Sequence, residues 1–561
     1  MRRLNISYLH CLGALILIGF ILRFYNLTWG APYFFHPDER NIASSVSQLH
    51  FPDQLNPRFF AYGGFSIYLV FLTGILMKFV QNLDLFFSNK HLIGNVSFED
   101  AIIISRFYSS VLSTLIIPLI FIIGRKISGN IGGIIASFLA TFSIGFIQFA
   151  HFGTVETLQT IILLVIFLLS INIIQNFSKR TFFLLSIFSG ILLGTKISNA
   201  AFLPLPLFAF YLSYLSPNYL NINFLIKKIP LLLLGTFSFL SVVFLVYLIS
   251  NPFVFLDFSS FKSSMDYESG VALGTLPVFY TGEFIQTNPI IYQIFRVLPF
   301  LITPFLTVLF ILSFPLLILL TIKKRNPFFG LLFLFFTISF FSQAFFYVKW
   351  IRYSVSSIPF IIFFVSIVFS YIYQMMINRK YIYKKVFLTF SFAFLGLYTI
   401  FAVSFFITTY IEKDTRLQAL SYALENINPD ARILSEVYDL GITPFNPYFR
   451  SIDLYNFYEL DNSNPEYSYD TFLHEVKGYQ YIIIPSQRIV KTRLQHEEAF
   501  PAGNKVYKNL FSETIGFNLV YETPCSVWCK ITYFSNPVWS YESTANVFDR
   551  PTVYVFKNTS R

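Results

Sequence analysis

Charge is what this sequence has least of. Only 12% of its 561 residues are charged, where a soluble globular protein carries roughly 25%. That shortage excludes a soluble enzyme, a disordered regulator and a nucleic-acid binder together. Cysteine is scarcer still, with Cys11, Cys525 and Cys529 alone. Cys11 lies in the first apolar run and reads as inert packing. The other two sit in the polar C-terminal part, where an oxidising compartment would let them pair. No small-residue cleavage site follows the first apolar run, which therefore reads as a retained helix rather than a signal peptide. No internal repeat is visible. What is present is apolar: 55% of the residues are hydrophobic, with 73 Phe and 35 Tyr. The chain reads as a polytopic membrane protein.

A net charge of +11 could suggest a nucleic-acid partner, but its distribution points elsewhere. Short basic clusters punctuate the apolar runs: Arg2 and Arg3, Arg125 and Lys126, Lys179 and Arg180, Lys227 and Lys228, Lys323 to Arg325, and Arg379 to Lys385. None contains an acid, and such clusters mark cytoplasmic loops. A spanning helix needs about 20 apolar residues. Eleven runs qualify: 8–25, 102–124, 131–150, 157–175, 181–195, 199–217, 229–250, 295–320, 328–346, 354–376 and 386–409. A twelfth, 62–80, contains Lys78 and the pair Gly63-Gly64. If it does not cross and the N-terminus is inside, every basic cluster is cytoplasmic and all 29 acids are external. If it crosses, every later loop inverts. The expectation is therefore about eleven transmembrane helices, with 62–80 lying along or dipping into the outer leaflet.

The chain then divides into a membrane-embedded part, 1–410, and an external tail, 411–561, long enough for a domain of its own. The tail holds 18 of the 29 acids. Leu417, Leu420 and Leu424 predict a helix over 415–426. Residues 431–436, 481–485, 517–521 and 552–556 read as strands, which gives a small α/β domain.

Three features carry chemistry. The first external loop contains His36-Pro37-Asp38-Glu39-Arg40, two adjacent carboxylates beside a His and an Arg; read blandly, it is a solvated charged loop. His151-Phe152-Gly153-Thr154-Val155-Glu156-Thr157 fills a short external turn, and an ionisable Glu156 against an apolar helix is a functional candidate by default, unless it simply reaches water. Arg58, Arg106, Lys196, Lys349 and Arg352 stand at the external surface, where positive charge is disfavoured. They snorkel, pair with Asp38, Glu39 or Glu156, or bind a lipid-linked phosphate, whose oxygens suit Arg forks and Lys point charges. A hydroxyl acceptor needs a base, for which Asp38 or Glu156 would serve. A departing phosphate needs positive charge.

These residues, in this order, resemble the GT-C superfamily of lipid-carrier-dependent glycosyltransferases, in the branch of protein O-mannosyltransferases and the aminoarabinose transferase of lipid A. The resemblance rests on Arg23-Phe24-Tyr25, His36-Pro37-Asp38-Glu39, Ser105-Arg106, the His151–Thr157 stretch, Thr195-Lys196, Asn251-Pro252, Lys349-Trp350-Ile351-Arg352-Tyr353 and Asp549-Arg550-Pro551-Thr552-Val553. It implies a GT-C fold, a polyprenyl-phosphate sugar donor, an external active site and inversion at the anomeric carbon. Asp38 would be the base or acceptor-orienting residue with Glu39 beside it, and Glu156 would match the acid of the second turn. Arg106, Lys349 and Arg352 would face the donor phosphate, and Arg58 is the nearest stand-in for a lysine that the aminoarabinose branch carries late in the first loop. His36, Asp38, Glu39 and Glu156 could hold a divalent ion, though no ligand spacing demands one.

The expected activity is transfer of a hexosyl or pentosyl group from polyprenyl phosphate to a glycan, lipid or protein hydroxyl on the outer face of a bacterial or archaeal inner membrane. The alternative is a transporter or flippase of lipid-linked sugars, which would carry charges along a midplane path and often internal repeats.

Overall fold

A backbone amide in hydrocarbon has no water to bond, so a spanning segment must satisfy its own hydrogen bonds as a helix. The computed structural model, which describes residues 6–81, 95–215, 222–324, 326–377, 381–437, 440–462 and 468–559, follows that constraint. Among the described residues nine helices are long and apolar enough to cross a membrane: Ile6–Phe24, Phe98–Thr141, Glu156–Gln175, Ile197–Tyr214, Lys227–Ser250, Thr303–Lys324, Pro327–Ala344, Ile351–Ile377 and Tyr381–Ile411. The expected basic residues Arg2, Arg3, Arg325, Arg379 and Lys380 lie outside the described residues.

The expected spans 102–124 and 131–150 differ in form. They fold as one 44-residue element, Phe98–Thr141, broken at Gly129, whose φ of 81° and ψ of −178° suit glycine. A short helix, Ile144–His151, completes the return. Arg23 ties the first helix to both limbs, donating to Ser113 Oγ (2.8 Å) and to the carbonyls of Ala140 (2.9 Å) and Thr141 (3.2 Å). The 181–195 run folds as Lys179–Thr195, whose 17 residues reach about 25 Å. The 295–320 run breaks at Thr303, with φ 69°, and its long helix starts there. Cys11 is exposed on the first helix rather than packed inside.

The ambiguous 62–80 run forms the helix Gly64–Gln81. Its start is fixed by Gly63 N–H donating to Thr195 O (2.8 Å) and Gly64 N–H to Asn251 Oδ1 (2.6 Å). Three motifs from distant parts of the sequence thus meet at one point, which places Tyr62 and Lys196 beside each other.

Beyond Ile411 the chain builds a five-stranded mixed sheet in the order β2-β1-β3-β5-β4. The strands are β1 (Arg432–Glu436), β2 (Ser451–Tyr455), β3 (Tyr481–Ile484), β4 (Phe517–Glu522) and β5 (Tyr554–Asn558). β1 runs parallel to β2 and β3, and β5 antiparallel to β3 and β4. Every residue of β3 is buried, as a strand covered on both faces requires. The expected helix 415–426 is present as Thr415–Asn426, capped by Asp414, which accepts from Arg416 N–H at 2.8 Å. β2 was not expected: it is a half-exposed edge strand of five residues, and the alternation of Ile452 and Leu454 with Ser451 and Asp453 is too short to mark a strand by itself. β5 begins at Tyr554 because Thr552 and Val553 N–H are already given to Gln487 Oε1 and Thr523 Oγ1. Cys525 and Cys529 form a disulfide at the start of Val527–Tyr533, which packs on the last long helix.

Docking at Gly63 leaves no room for a side chain, since a Cβ there would lie 2.0 Å from Gly194 O. Gly63→Ala is expected to destabilise by about 1–3 kcal/mol, read as a lower thermal midpoint in detergent. Gly330→Ala, in open space, should leave it unchanged.

Candidate active site

Pro37 opens the helix Pro37–Ser47, putting Asp38 and Glu39 in its first turn. Consecutive residues on a helix project about 100° apart, so these acids cannot face the same way. Glu39 turns inward. Its carboxylate accepts Arg106 Nε (3.0 Å), Arg106 Nη2 (2.7 Å) and Gly153 N–H (2.5 Å), with both side chains of the pair 0% exposed. Arg106 Nη1 donates to the carbonyls of Leu27 and Trp29, both at 2.8 Å, and the guanidinium lies 4.4 Å over the Trp29 ring. This pair clamps the first loop to the His151–Thr157 turn. It does not line the cavity described next.

Asp38 turns the other way, into a cavity of about 450 Å³. Its Oδ2 accepts Arg352 Nη1, each side chain being 21% exposed, and Arg352 Nη1 also reaches Tyr62 Oη at 3.0 Å. Burial alone would push the Asp38 carboxyl up, but the Arg352 guanidinium outweighs it and holds the group below the usual carboxylate range. Asp38 is therefore a carboxylate at neutral pH. His36 stands between the rings of Phe152 (4.4 Å) and Phe548 (4.5 Å). Burial pushes its pKa down against the pull of Glu39, Asp38 and Glu156, so the ring is neutral, and its Nδ1 has no partner.

Glu156 is the first residue of the helix Glu156–Gln175, where the dipole favours a negative charge. It is buried, lines the cavity, and has no partner on Oε2. Behind it lies a narrow polar recess of about 20 Å³ lined by Glu156, Gln159, Lys196, Asn199, Gln343 and Arg352 among others. Lys196 stands over the rings of Tyr353 (5.0 Å) and Tyr62 (5.6 Å). Next along the chain, Leu203, Leu205, Phe208 and Tyr211 join Leu240, Leu334 and Ile338 around an apolar recess of about 550 Å³. An acid–base pair, a lysine and an apolar slot thus follow one another.

The remaining expected cations stand apart. Lys349 gives its ammonium to Thr287 Oγ1 (3.0 Å) and Tyr347 O (2.8 Å) and does not line the cavity. Arg58 is exposed, and its charge acts on Asp257 rather than Asp38. Of the five, Lys196 and Arg352 are brought together. Among the described residues no group of three His, Cys, Asp or Glu is placed to hold a metal ion. The expected set of His36, Asp38 and Glu156 is not assembled as ligands: Asp38 is turned into Arg352 and His36 is held between two rings.

The tail supplies lining that sequence reasoning missed: Val437, Tyr458, Arg488, Thr544 and Phe548. Arg488 belongs to Gln487–Gln495, a polar helix buried from Gln487 to Arg493. Its Lys491 is paired with Glu283 at 2.6 Å. Three cations in seven residues read as a solvated face. The one tail motif in the resemblance, Asp549 to Val553, lies more than fifty residues further on and gives no sign of their burial.

Several solved structures cover nearly the whole chain. The apo oligosaccharyltransferase of Archaeoglobus fulgidus superposes with a TM-score of 0.54 at 13% identity, over 98% of this chain and 88% of that one. The archaeal oligosaccharyltransferase AglB from the same organism, in complex with an inhibitory peptide and a dolichol-phosphate, gives 0.54 at 12%, over 99% and 88%. This is the GT-C fold. Another structure of the Archaeoglobus enzyme is a complex with Zn and sulfate. ArnT from Cupriavidus metallidurans bound to undecaprenyl phosphate is similar at a TM-score of 0.42 and 12% identity, over 98% of each chain. No protein-family model matches the sequence, and no curated protein matches it significantly. The GT-C resemblance carried by the sequence motifs is thus matched by a fold that spans the membrane part and the tail.

The Glu39–Arg106 pair yields a stability test. Arg106→Met strands a buried carboxylate and is expected to cost about 3–5 kcal/mol. The double variant Arg106→Met, Glu39→Gln should recover much of that loss, measured by thermal unfolding in detergent.

Proposed function

We propose that the protein is a membrane glycosyltransferase that moves a sugar from a polyprenyl-phosphate donor to an acceptor hydroxyl. The observation that carries this reading is the Asp38–Arg352 pair, which lines the cavity where Glu156 and Arg352 also border the recess that holds Lys196. A polyprenyl phosphate has the same sequence of chemistries: an isoprenoid tail for the apolar recess, a phosphate for Lys196 and Arg352, and a sugar for the cavity. The solved neighbours that hold dolichol-phosphate and undecaprenyl phosphate agree with that class of donor.

In the proposed reaction the acceptor oxygen attacks the anomeric carbon on the face opposite the phosphate. The new C–O bond forms as the sugar–phosphate C–O bond breaks, which inverts the centre. The bonding pair leaves on the phosphate oxygen, where Arg352 and Lys196 stabilise it. Asp38, ionised and anchored by Arg352, accepts the hydroxyl hydrogen bond, orients the attack and takes the hydroxyl proton as the new C–O bond forms, releasing it afterwards to solvent. Glu156, with one oxygen unpaired, holds sugar hydroxyls beside it. Glu39 and Arg106 act as scaffold rather than as base and phosphate ligand. The 411–561 domain roofs the site, and its aromatic lining with Tyr280 and Trp350 suits a saccharide acceptor over the bare polypeptide and lipid alternatives.

The site is assigned to the extracytoplasmic face of the inner membrane, with the N-terminus cytoplasmic. Arg125 and Lys126 stand some 19 residues, about 28 Å of helix, from Arg106, at the opposite end of the bundle from the cavity, as the positive-inside rule requires.

The test is release of free polyprenyl phosphate from a mixed pool of polyprenyl-phosphate sugars by purified protein in liposomes. Wild type is expected to release it, and Asp38→Asn to do so at least about 100-fold more slowly. Equal release by the variant overturns the role of Asp38, and transfer of intact donor across the bilayer without release overturns the reaction class. Because Asp38 titrates below its usual range, its contribution is present above pH 4 and lost only as pH falls further; a wild-type loss of rate between pH 7 and 5 that Asp38→Asn abolishes would contradict this.

A further inference from the structure

The first turn of the helix that carries Arg352 begins with Trp350 as its N-cap, and Trp350 makes no capping bond. The leading N–H groups of a helix have no partner within it. Here the Ile351 N–H is met from the tail: Glu542 Oε2 accepts it at 3.1 Å across 191 residues of sequence, in a fully buried setting.

Glu542 is itself held from every side. Its Oε1 accepts Thr544 N–H at 3.0 Å and its Oε2 accepts the Thr544 hydroxyl. Its own N–H donates to Arg296 O at 3.2 Å, and Arg296 Nη1 returns a bond to Ser540 O at 3.3 Å. The next residue is locked as well: Ser543 N–H gives 3.1 Å to Glu283 Oε2, while Glu283 Oε1 takes Lys491 Nζ at 2.6 Å and Tyr292 Oη at 3.0 Å. A tail segment is thus pinned to the 283–296 stretch and presents one carboxylate to the residue beside Arg352.

Arg352 needs such support. Its guanidinium must aim Nη1 between Asp38 and Tyr62, and its Nε has no partner. Rotation of that first turn would carry the fork away from Asp38, and a displacement of about 1 Å at a reacting centre can cost 100-fold.

We infer that Glu542 is a positioning residue for Arg352: the tail caps the helix that carries the phosphate-binding arginine, so the external domain sets the geometry of the membrane-embedded site. This rests on the reading of Arg352 as a ligand of the donor phosphate.

The test is a mutant cycle on the full-length protein in nanodiscs, read as binding of undecaprenyl phosphate rather than turnover. Glu542→Ala is expected to weaken binding about five- to tenfold, the size of a lost helix cap. Glu542→Gln keeps an oxygen for Ile351 N–H and should stay within about threefold of wild type. In an Arg352→Ala background, Glu542→Ala should weaken binding no further. If Arg352→Ala weakens binding and Glu542→Ala does not, the inference fails and the donor reading stands. An undiminished Glu542→Ala penalty in the Arg352→Ala background means Glu542 acts on the fold at large, and the inference is wrong. A Glu542→Gln as weak as Arg352→Ala overturns the cap by itself, even where the alanine variant does not fold. If Arg352→Ala binds as wild type, the donor reading fails and this inference with it.

Discussion

Two carboxylates on consecutive positions of one helical turn must leave in different directions, and much of this site follows from that constraint. Pro37 fixes where the turn begins. Glu39 then meets Arg106 in a dry setting, where a lone charge would be prohibitive and a hydrogen-bonded pair is tolerated. With Glu39 anchored to Arg106 and to Gly153 N–H, Asp38 has one direction left, toward Arg352. The first loop, the second turn and the Ile351–Ile377 helix are brought to one place by two ion pairs of different character. One is sealed at 0% exposure and the other remains open to the cavity at 21%. The sealed pair holds position, and the open pair is available for chemistry.

Buried charge is gathered on the tail side as well. Lys491 is spent on Glu283, and Arg493 lies within 3.9 Å of Asp461, while Arg488 on the same helix lines the cavity. Polar residues usually mark a solvated surface. In a bundle with so few charges they instead mark the seam between the membrane part and the tail, where neither lipid nor bulk water is present to meet them. Asp549 shows what that environment does: burial raises its pKa to about 6, against hydrogen bonds from Gln148 and Tyr410.

Much of the architecture was legible in the sequence because hydropathy and charge act locally. Apolar runs identified the long helices and the helix that follows Gly63-Gly64, and the order of short motifs pointed to the GT-C fold that the solved structures share. Asp38 was selected as one of two adjacent carboxylates, Glu156 as an ionisable group against an apolar helix, and Lys196 and Arg352 as cations where positive charge is disfavoured; the four line recesses that share Glu156 and Arg352, and the basis of choice was charge and place in the sequence. That criterion cannot say which way a charged side chain points. It therefore grouped Glu39 and Arg106 with the open site, and Lys349 with the phosphate, although Lys349 is turned to Thr287 and Tyr347. Arg488, Glu542 and Glu283 were invisible for a related reason. Their partners lie far away in sequence, and nothing in their own neighbourhoods distinguishes a buried polar seam from an ordinary wet surface.

The central claim is that the Asp38–Arg352 pair stands where a lipid-linked phosphate meets the acceptor. The most direct test is a cryo-electron microscopy structure of the protein in nanodiscs with bound undecaprenyl phosphate. The account predicts phosphate density in contact with Arg352 and Lys196, with the isoprenoid chain running into the slot between Leu203, Phe208 and Leu334. Phosphate density beside Lys349 or at the basic end near Arg125, with the Asp38 cavity left to solvent, would contradict it.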